Sequence, residues 1–390
     1  MTRRTGQSPL RISFIGQRGI PARYGGVETH VENVAVRLAA RGHRVTVYCR
    51  SRYRASGSGG VERGTDGARM YRGVRLVYVP SIHTKHLDTP THAAWCALHC
   101  ALTRRAQIVH FHGIGPAAFA GIPRLSGIPV VSTFHALDWR QEKWGKWAVA
   151  FLRRGERIAA RRSDALVVVS KIMQAYVADT YGQRAEWIPN GASVPPVRGT
   201  GSLARWGLTA NEYVLAVGRI IRDRQIDTLI RAFTGMPGKR KLCVVGSETP
   251  RTVYTDYLKS LANDRVVFTG DVFGTDLETI YASARVYVLA SRVEGLPITV
   301  CEAMAHGRAL LLSDIPENHE VAGDAALYFS CGDEKDLRRG LERMCADDKL
   351  RETLGGVARE RSRTVFHWDR VTDTLESLYY RVVAGKGRNS

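Results

Sequence analysis

Two glutamates eight positions apart, Glu294 and Glu302, bracket the stretch Glu294-Gly295-Leu296-Pro297-Ile298-Thr299-Val300-Cys301-Glu302. An ionised carboxylate only accepts hydrogen bonds, so a pair of them suits a ligand that donates many, as a sugar does. A cationic set precedes them in Gly218-Arg219-Ile220-Ile221-Arg222-Asp223-Arg224. Guanidinium forks match phosphate oxygens in pairs, and several in one loop are costly unless solvated or matched by an anion. Near the start, Gly25-Gly26 would let backbone approach a ligand, and free N–H groups of a helix behind them would face an anion. His135 follows Ser132-Thr133-Phe134, placing a titratable ring where a strand ends. Each feature has a plainer role: a solvated loop glutamate, a first-turn helical acid favoured by the macrodipole, a tight turn, a structural histidine.

The elements that must position these residues follow from periodicity. Arg285-Val286-Tyr287-Val288-Leu289 reads as a buried strand, and Ile298, Cys301, Met304 and Ala305 mark a helix stopped at Gly307. Glu294 then sits in a strand-to-helix loop, Glu302 about a turn into the helix, at the sheet edge where open α/β folds bind ligands. Further strands are expected at 11–15, 44–48, 107–111, 128–133, 165–169, 213–217, 241–246, 265–270 and 308–312, alternating with helices. Residues 51–69 read as an exposed loop, 316–320 as another, and 333–384 as helical. Trp187-Ile188-Pro189-Asn190-Gly191 closes a first domain and Val194-Pro195-Pro196 a linker. The domains expected are 1–192 and 193–366, both doubly wound, with a terminal helix over 367–390 crossing back to the first.

At 390 residues the chain exceeds what one core supports. Hydrophobic residues make up 44% and charged residues 24%, as in ordinary globular proteins. Seven scattered cysteines form no disulfide framework and fit a reducing cytoplasm, and no apolar run reaches membrane-spanning length. The net charge of +20 is uneven, with about +18 carried by residues 1–192. That asymmetry points to an anionic partner: nucleic acid, a membrane face or phosphorylated substrates.

Between Trp139 and Arg162 stand three tryptophans and eight basic residues. Trp144, Trp147 and Phe151 share a helical face with Ala148 and Ile158, while Arg153, Arg157 and Arg161 lie largely off it. Arg154 adds to the charge, and Trp with Arg on one helix fits a headgroup layer; a helix packed on its own sheet is the alternative. His92, Cys96, His99 and Cys100 cluster without any zinc spacing, and the apolar residues between them indicate a buried helix. No metal is expected there.

Taken together, the ordered motifs resemble glycosyltransferase family 4. They are Tyr24-Gly25-Gly26-Val27-Glu28, Ile188-Pro189-Asn190-Gly191, Val217-Gly218-Arg219, and Glu294-Gly295-Leu296-Pro297 ending in Cys301-Glu302-Ala303-Met304-Ala305-His306-Gly307. The resemblance spans nearly the whole chain, and the run 19–26 resembles a rhamnosyltransferase-like bacterial branch used in surface polysaccharide assembly. It implies the GT-B fold, two Rossmann-like domains facing a central cleft, and transfer of a sugar with retention. The donor would be a nucleotide sugar, with dTDP-rhamnose, UDP- and GDP-sugars as candidates, and the acceptor a glycan or lipid-linked glycan. Arg219 and Arg224 would hold the diphosphate with Gly25 and Gly26, and Glu302 the ribose. Glu294, Gly295 and Leu296 would hold the transferred sugar, and His135 would lie near the reacting carbon. The sequence has no Asp-x-Asp, so neither metal nor cofactor is implied. Two departures stand out: Arg224-Gln225 replaces the usual Lys-Gly, and Gly246-Ser247-Glu248 the usual Gly-x-Gly. The rivals are an epimerase or hydrolase on the same fold, a non-reacting donor-binding subunit, and a basic nucleic-acid-binding protein. The last lacks a reading module or basic–aromatic alternation along strands. A cytoplasmic protein docked peripherally on an anionic membrane is the expected location.

Overall fold

The computed structural model describes residues 8–23, 25–55, 60–64, 67–84, 86–140, 144–193, 201–247 and 253–386. Tyr24, Glu142, Val194-Pro195-Pro196 and Glu248 lie outside the described residues. The chain forms two compact units, Met1–Pro189 with Trp368–Ser390, and Asn190–His367.

The first unit contains β1 (Arg11–Ile15), β2 (Arg44–Arg50), β3 (Val61–Arg63), β4 (Arg69–Tyr71), β5 (Val74–Val79), β6 (Ile108–His112), β7 (Val130–Phe134), β8 (Ala165–Val168) and β9 (Glu186–Trp187). They form one sheet in the order β3-β4-β5-β2-β1-β6-β7-β8-β9. β1, β6 and β7 are buried along almost their whole length, the continuous apolar runs expected of parallel strands covered on both faces. The 51–69 stretch is not simply a loop. β3 pairs antiparallel with β4, and β4 with β5, which the alternation was too short to reveal.

The second unit contains β10 (Tyr213–Val217), β11 (Lys241–Val245), β12 (Val266–Gly270), β13 (Val286–Leu289), β14 (Ala309–Ser313) and β15 (Ala326–Phe329). They lie parallel in the order β12-β11-β10-β13-β14-β15. β15 escapes the sequence reading because its run is only four residues long, too short for periodicity to mark it. Residues 316–320 are not a loop but lie in the helix Pro316–Ala322, with Pro316 in its first turn, where its missing N–H costs nothing.

The terminal helix Trp368–Lys386 packs in the first unit against the helix Gly26–Ala40. Arg37 pairs with Asp369 at 2.9 Å, and Arg41 Nη1 with Glu376 at 2.6 Å. His43 Nε2 meets the other Glu376 oxygen at 2.7 Å. Tyr379, fully buried, bonds His110 Nδ1 at 2.6 Å. Losing this helix would strip both a charge network and a core aromatic from the first unit.

Candidate active-site residues

In the second unit β10 runs straight into the arginine loop. Gly218 has φ +145°, and a Cβ there would stand 2.7 Å from Arg224 Nη1, so only glycine leaves room for that guanidinium. Gly246, at the end of β11, has φ +126°, and a Cβ would stand 2.1 Å from the Gly218 carbonyl oxygen. The ends of β10 and β11 therefore meet backbone to backbone, a floor without side chains.

Arg224 Nη2 reaches Glu294 Oε1 at 3.5 Å, with the side chains only 17% and 11% exposed. Arg224 Nη1 is buried without a hydrogen-bond partner among the described residues. A buried, half-satisfied guanidinium is costly and has capacity for an anion. The Arg292 N–H donates to the Asp223 carbonyl at 2.8 Å, tying the arginine loop to the glutamate loop. Arg222 lies over the Tyr254 ring at 5.0 Å, and Arg219 is exposed. Gln225 takes φ +48°, the left-handed conformation glycine adopts freely. With its amide assigned from the hydrogen-bond network, it donates to the Ala290 carbonyl at 2.9 Å and accepts from Arg292 Nε at 3.1 Å. The glutamine thus exchanges backbone ease for side-chain bonds beneath the loop.

Leu296 is buried, and its carbonyl accepts from Asn190 Nδ2 at 2.8 Å, which gives the Pro-Asn-Gly segment a use. Gly295 and Glu294 are half-buried beside it. Glu302 lies in the helix Ile298–Ala305, where Tyr281 donates to its Oε2 at 2.8 Å. Burial pushes the Glu302 carboxyl up to about 7, against the lowering effect of that hydrogen bond.

Both glutamates act electrostatically on a residue that motif reading passed over. Tyr287, fully buried on β13, donates to Thr299 Oγ1 at 2.8 Å. Burial raises its phenol; Arg224 lowers it, and Glu294 and Glu302 raise it further. One phenol thus lies within electrostatic reach of all three charged groups. Tyr281 packs 6.0 Å from Tyr287 and stacks on His306 at 5.6 Å, and His306 Nε2 meets Glu278 at 2.5 Å. A tyrosine inside an apolar strand needs a partner for its hydroxyl, the one signal that would have marked Tyr287.

In the first unit Gly25 has φ +85° and precedes the helix Gly26–Ala40, whose first turn has no side-chain cap. The loop before it is braced by Glu28 Oε1, which accepts from the Arg18 N–H at 2.9 Å, and by Glu32, which accepts from the Ala22 N–H. Burial raises the Glu28 carboxyl. Gly16 closes on β6, since a Cβ there would stand 2.2 Å from the His112 carbonyl oxygen.

His135, half-buried just past β7, is not alone. Its Nε2 lies 3.0 Å from His112 Nδ1, and its ring 4.9 Å edge-on from His30. Burial depresses His135, and His30 and His110 depress it further. His30 and His112, unnoticed in the sequence, arrive from a helix and from a strand end.

The helix Lys146–Arg162 buries Leu152, Gly155, Glu156, Ala159 and Ala160. Its Trp147 is 92% exposed, Phe151 is half-buried, and Trp144, just before the helix, is half-buried as well. Arg154 is exposed, while Arg153 lies 4.4 Å over the Trp139 ring. Glu156, fully buried, accepts from Trp139, Tyr176 and Tyr181 at 2.6–2.8 Å. Of the His92 group, Cys96 and Cys100 are buried thiols pushed up by burial, bonded to His92 and Tyr48 respectively.

Residues 24–194 match the model for Glycosyltransferase Family 4, and residues 205–361 that for Glycosyl transferases group 1. The chain is 25% identical to the glycogen synthase of Mycobacterium tuberculosis over 97% of its own length and 96% of that protein's. It is 30% identical to the capsular polysaccharide biosynthesis glycosyltransferase CapM of Staphylococcus aureus over 44% of the chain and 47% of CapM. Anabaena HepE, solved in complex with UDP-glucose, superposes with a TM-score of 0.78 at 15% identity, covering 95% of this chain and all of that one. The fold is therefore GT-B.

Proposed function

Since the chain belongs to the glycosyltransferases, carrying a family 4 domain followed by a group 1 domain, we propose that it moves a sugar from a nucleoside diphosphate to a glycan or lipid-linked glycan acceptor, with retention. The observation that carries this reading is Arg224, held beside Glu294 at 3.5 Å with one nitrogen buried and unbonded. A donor diphosphate supplies the missing acceptors, and Arg219 at the exposed end of the same loop adds a second fork. Glu302 accepts from the ribose hydroxyls, and Glu294, flanked by Gly295 and Leu296, from those of the transferred sugar.

Bond breaking leaves negative charge on the departing phosphate and positive charge on the sugar ring. A fixed guanidinium acts where the first appears, which is commonly the largest catalytic contribution. The second develops near Glu294. The acceptor hydroxyl approaches from the face the phosphate leaves, and the phosphate takes its proton. His135, whose ring burial depresses, accepts a hydrogen bond from the acceptor without adding charge. Neither metal nor cofactor enters this chemistry.

The relative with a capsular polysaccharide role supports a surface-glycan acceptor, and HepE's UDP-glucose supports a UDP-sugar alongside dTDP-rhamnose and GDP-sugars. Among the described residues no helix is long and apolar enough to cross a membrane. A lipid-linked acceptor is met instead at an anionic surface, through Trp147, Phe151 and Arg154 with Trp144 and Arg153 beside them; Trp147→Ser with Arg154→Glu should abolish flotation with anionic liposomes and leave soluble-acceptor transfer intact. Thermal shift with a panel of nucleotide sugars and bare diphosphates, followed by transfer assays on the stabilising donor, tests the main reading. Stabilisation by no donor, or conversion of the donor without any acceptor, would overturn it.

A further inference from the structure

His30 from the helix Gly26–Ala40, His112 from the end of β6 and His135 just past β7 offer one nitrogen each within 4.8 Å of one another. The ring centroids of His112 and His135 are 5.3 Å apart, and those of His30 and His112 5.5 Å. His30 and His112 are each 1% exposed. His112 Nδ1 is bonded to His135, but its Nε2 is buried with no hydrogen-bond partner among the described residues. Phe14 lies 5.3 Å from His112, and Trp368 lies 5.6 Å from His30. His110, its ring tilted 4.2 Å from that of His112, is excluded from the group because Tyr379 and Thr133 occupy both its nitrogens.

We propose that these three histidines bind one divalent transition cation of the zinc type, and that its binding silences sugar transfer. Three imidazoles and no carboxylate match zinc, nickel, cobalt or copper rather than magnesium or calcium, which demand oxygen. Three protein ligands with the fourth position left to water is the arrangement of an open tetrahedral site. Tetrahedral bonds of about 2.1 Å place ligand nitrogens about 3.4 Å apart, so the rings close inward by little more than 1 Å. Silencing rests on the functional reading above: a cation takes the His135 lone pair that would otherwise accept a hydrogen bond from the acceptor.

The test is calorimetric titration of the chelator-stripped, full-length protein with zinc chloride, donor absent. One ion per chain is expected. His30→Ala and His112→Ala, checked for folding by circular dichroism, should each weaken binding at least tenfold. His135→Asn, at a half-exposed position, serves if either fails to fold. Cys96→Ser and His92→Ala must leave binding unchanged, and the cobalt form should show tetrahedral d–d bands without a thiolate charge-transfer band. No binding, or binding indifferent to all three histidine variants, overturns the site. Zinc bound there with transfer undiminished overturns the silencing. Chelated protein without any transfer activity instead indicts the functional reading, and the titration still decides the site.

Discussion

The two units set their polar residues on similar scaffolds, parallel strands ending in glycines that let backbones touch, yet the chemistry is opposite. The second unit gathers Arg224, Glu294 and Glu302 around Tyr287, opposite charges that moderate one another. The first gathers His30, His112 and His135, with no carboxylate in the group; burial depresses His112 and His135, and neighbouring histidines depress both further. A charged, incompletely satisfied pocket suits an anionic, hydroxyl-rich ligand. A neutral imidazole cluster suits hydrogen bonding to an uncharged acceptor, or a cation that bonds through nitrogen. The charge of the chain as a whole, +20, predicts neither arrangement.

The largest expected effect breaks the charged side of this comparison. Arg224→Ala or Glu294→Gln should lower kcat/KM by about 100- to 1000-fold with the fold intact by circular dichroism. Near-normal turnover by either would remove these residues from the reaction. Next comes Gly218→Ala, whose Cβ meets Arg224 Nη1 at 2.7 Å on a backbone of φ +145°. It should weaken donor binding by about tenfold and cost about 1–3 kcal/mol of stability, read from donor titration and denaturant unfolding.

A third prediction sets the units against each other by pH. The folded pKa values of His112 and His135 lie below the unfolded value near 6.5, so below that pH the unfolded chain binds more protons and stability falls with acid. Glu302 has the opposite sign: folded about 7 against 4.5 unfolded, it contributes stability below pH 4.5 that is lost as pH rises through 7. Glu302→Gln should therefore raise the melting temperature relative to wild type at pH 8 and not at pH 4.5, whereas His112→Asn should flatten the decline between pH 6.5 and 5. A Glu302→Gln benefit equal at both pH values would show that the carboxyl is not perturbed.

The smallest effect sharpens the comparison. Gln225→Gly relieves a left-handed backbone worth about 1 kcal/mol but removes bonds to Ala290 and Arg292. Stability should change by less than about 1 kcal/mol in either direction, since each lost hydrogen bond is worth a similar amount. A loss above about 2 kcal/mol would make the side-chain bonds the loop's main support.

Periodicity and glycine placement made most strands legible, because parallel strands buried on both faces must be continuously apolar. β3, β4, β9 and β15 were not, being only two to four residues long, where periodicity says little, and the six-residue β5 went unread as well. The helix Pro316–Ala322 was hidden by reading its proline as punctuation, although a first-turn proline is tolerated. Glu294, Glu302, Arg219 and Arg224 could be singled out from local spacing because each loop is contiguous. Tyr281 and Tyr287 gave only the weak signal of a hydroxyl inside an apolar run.

By itself, then, the sequence determined the elements, their alternation, and the loops that carry charge, since these depend on neighbours within a few residues. Only the tertiary structure decided that Tyr287 lies within reach of three charged groups, that Gly218 must be bare for Arg224, and that His30 and His112 join His135. Those three histidines lie 82 and 23 positions apart along the chain. Sheet order alone brings them together, because β6 and β7 are hydrogen-bonded neighbours and β1, beside β6, feeds the helix that carries His30.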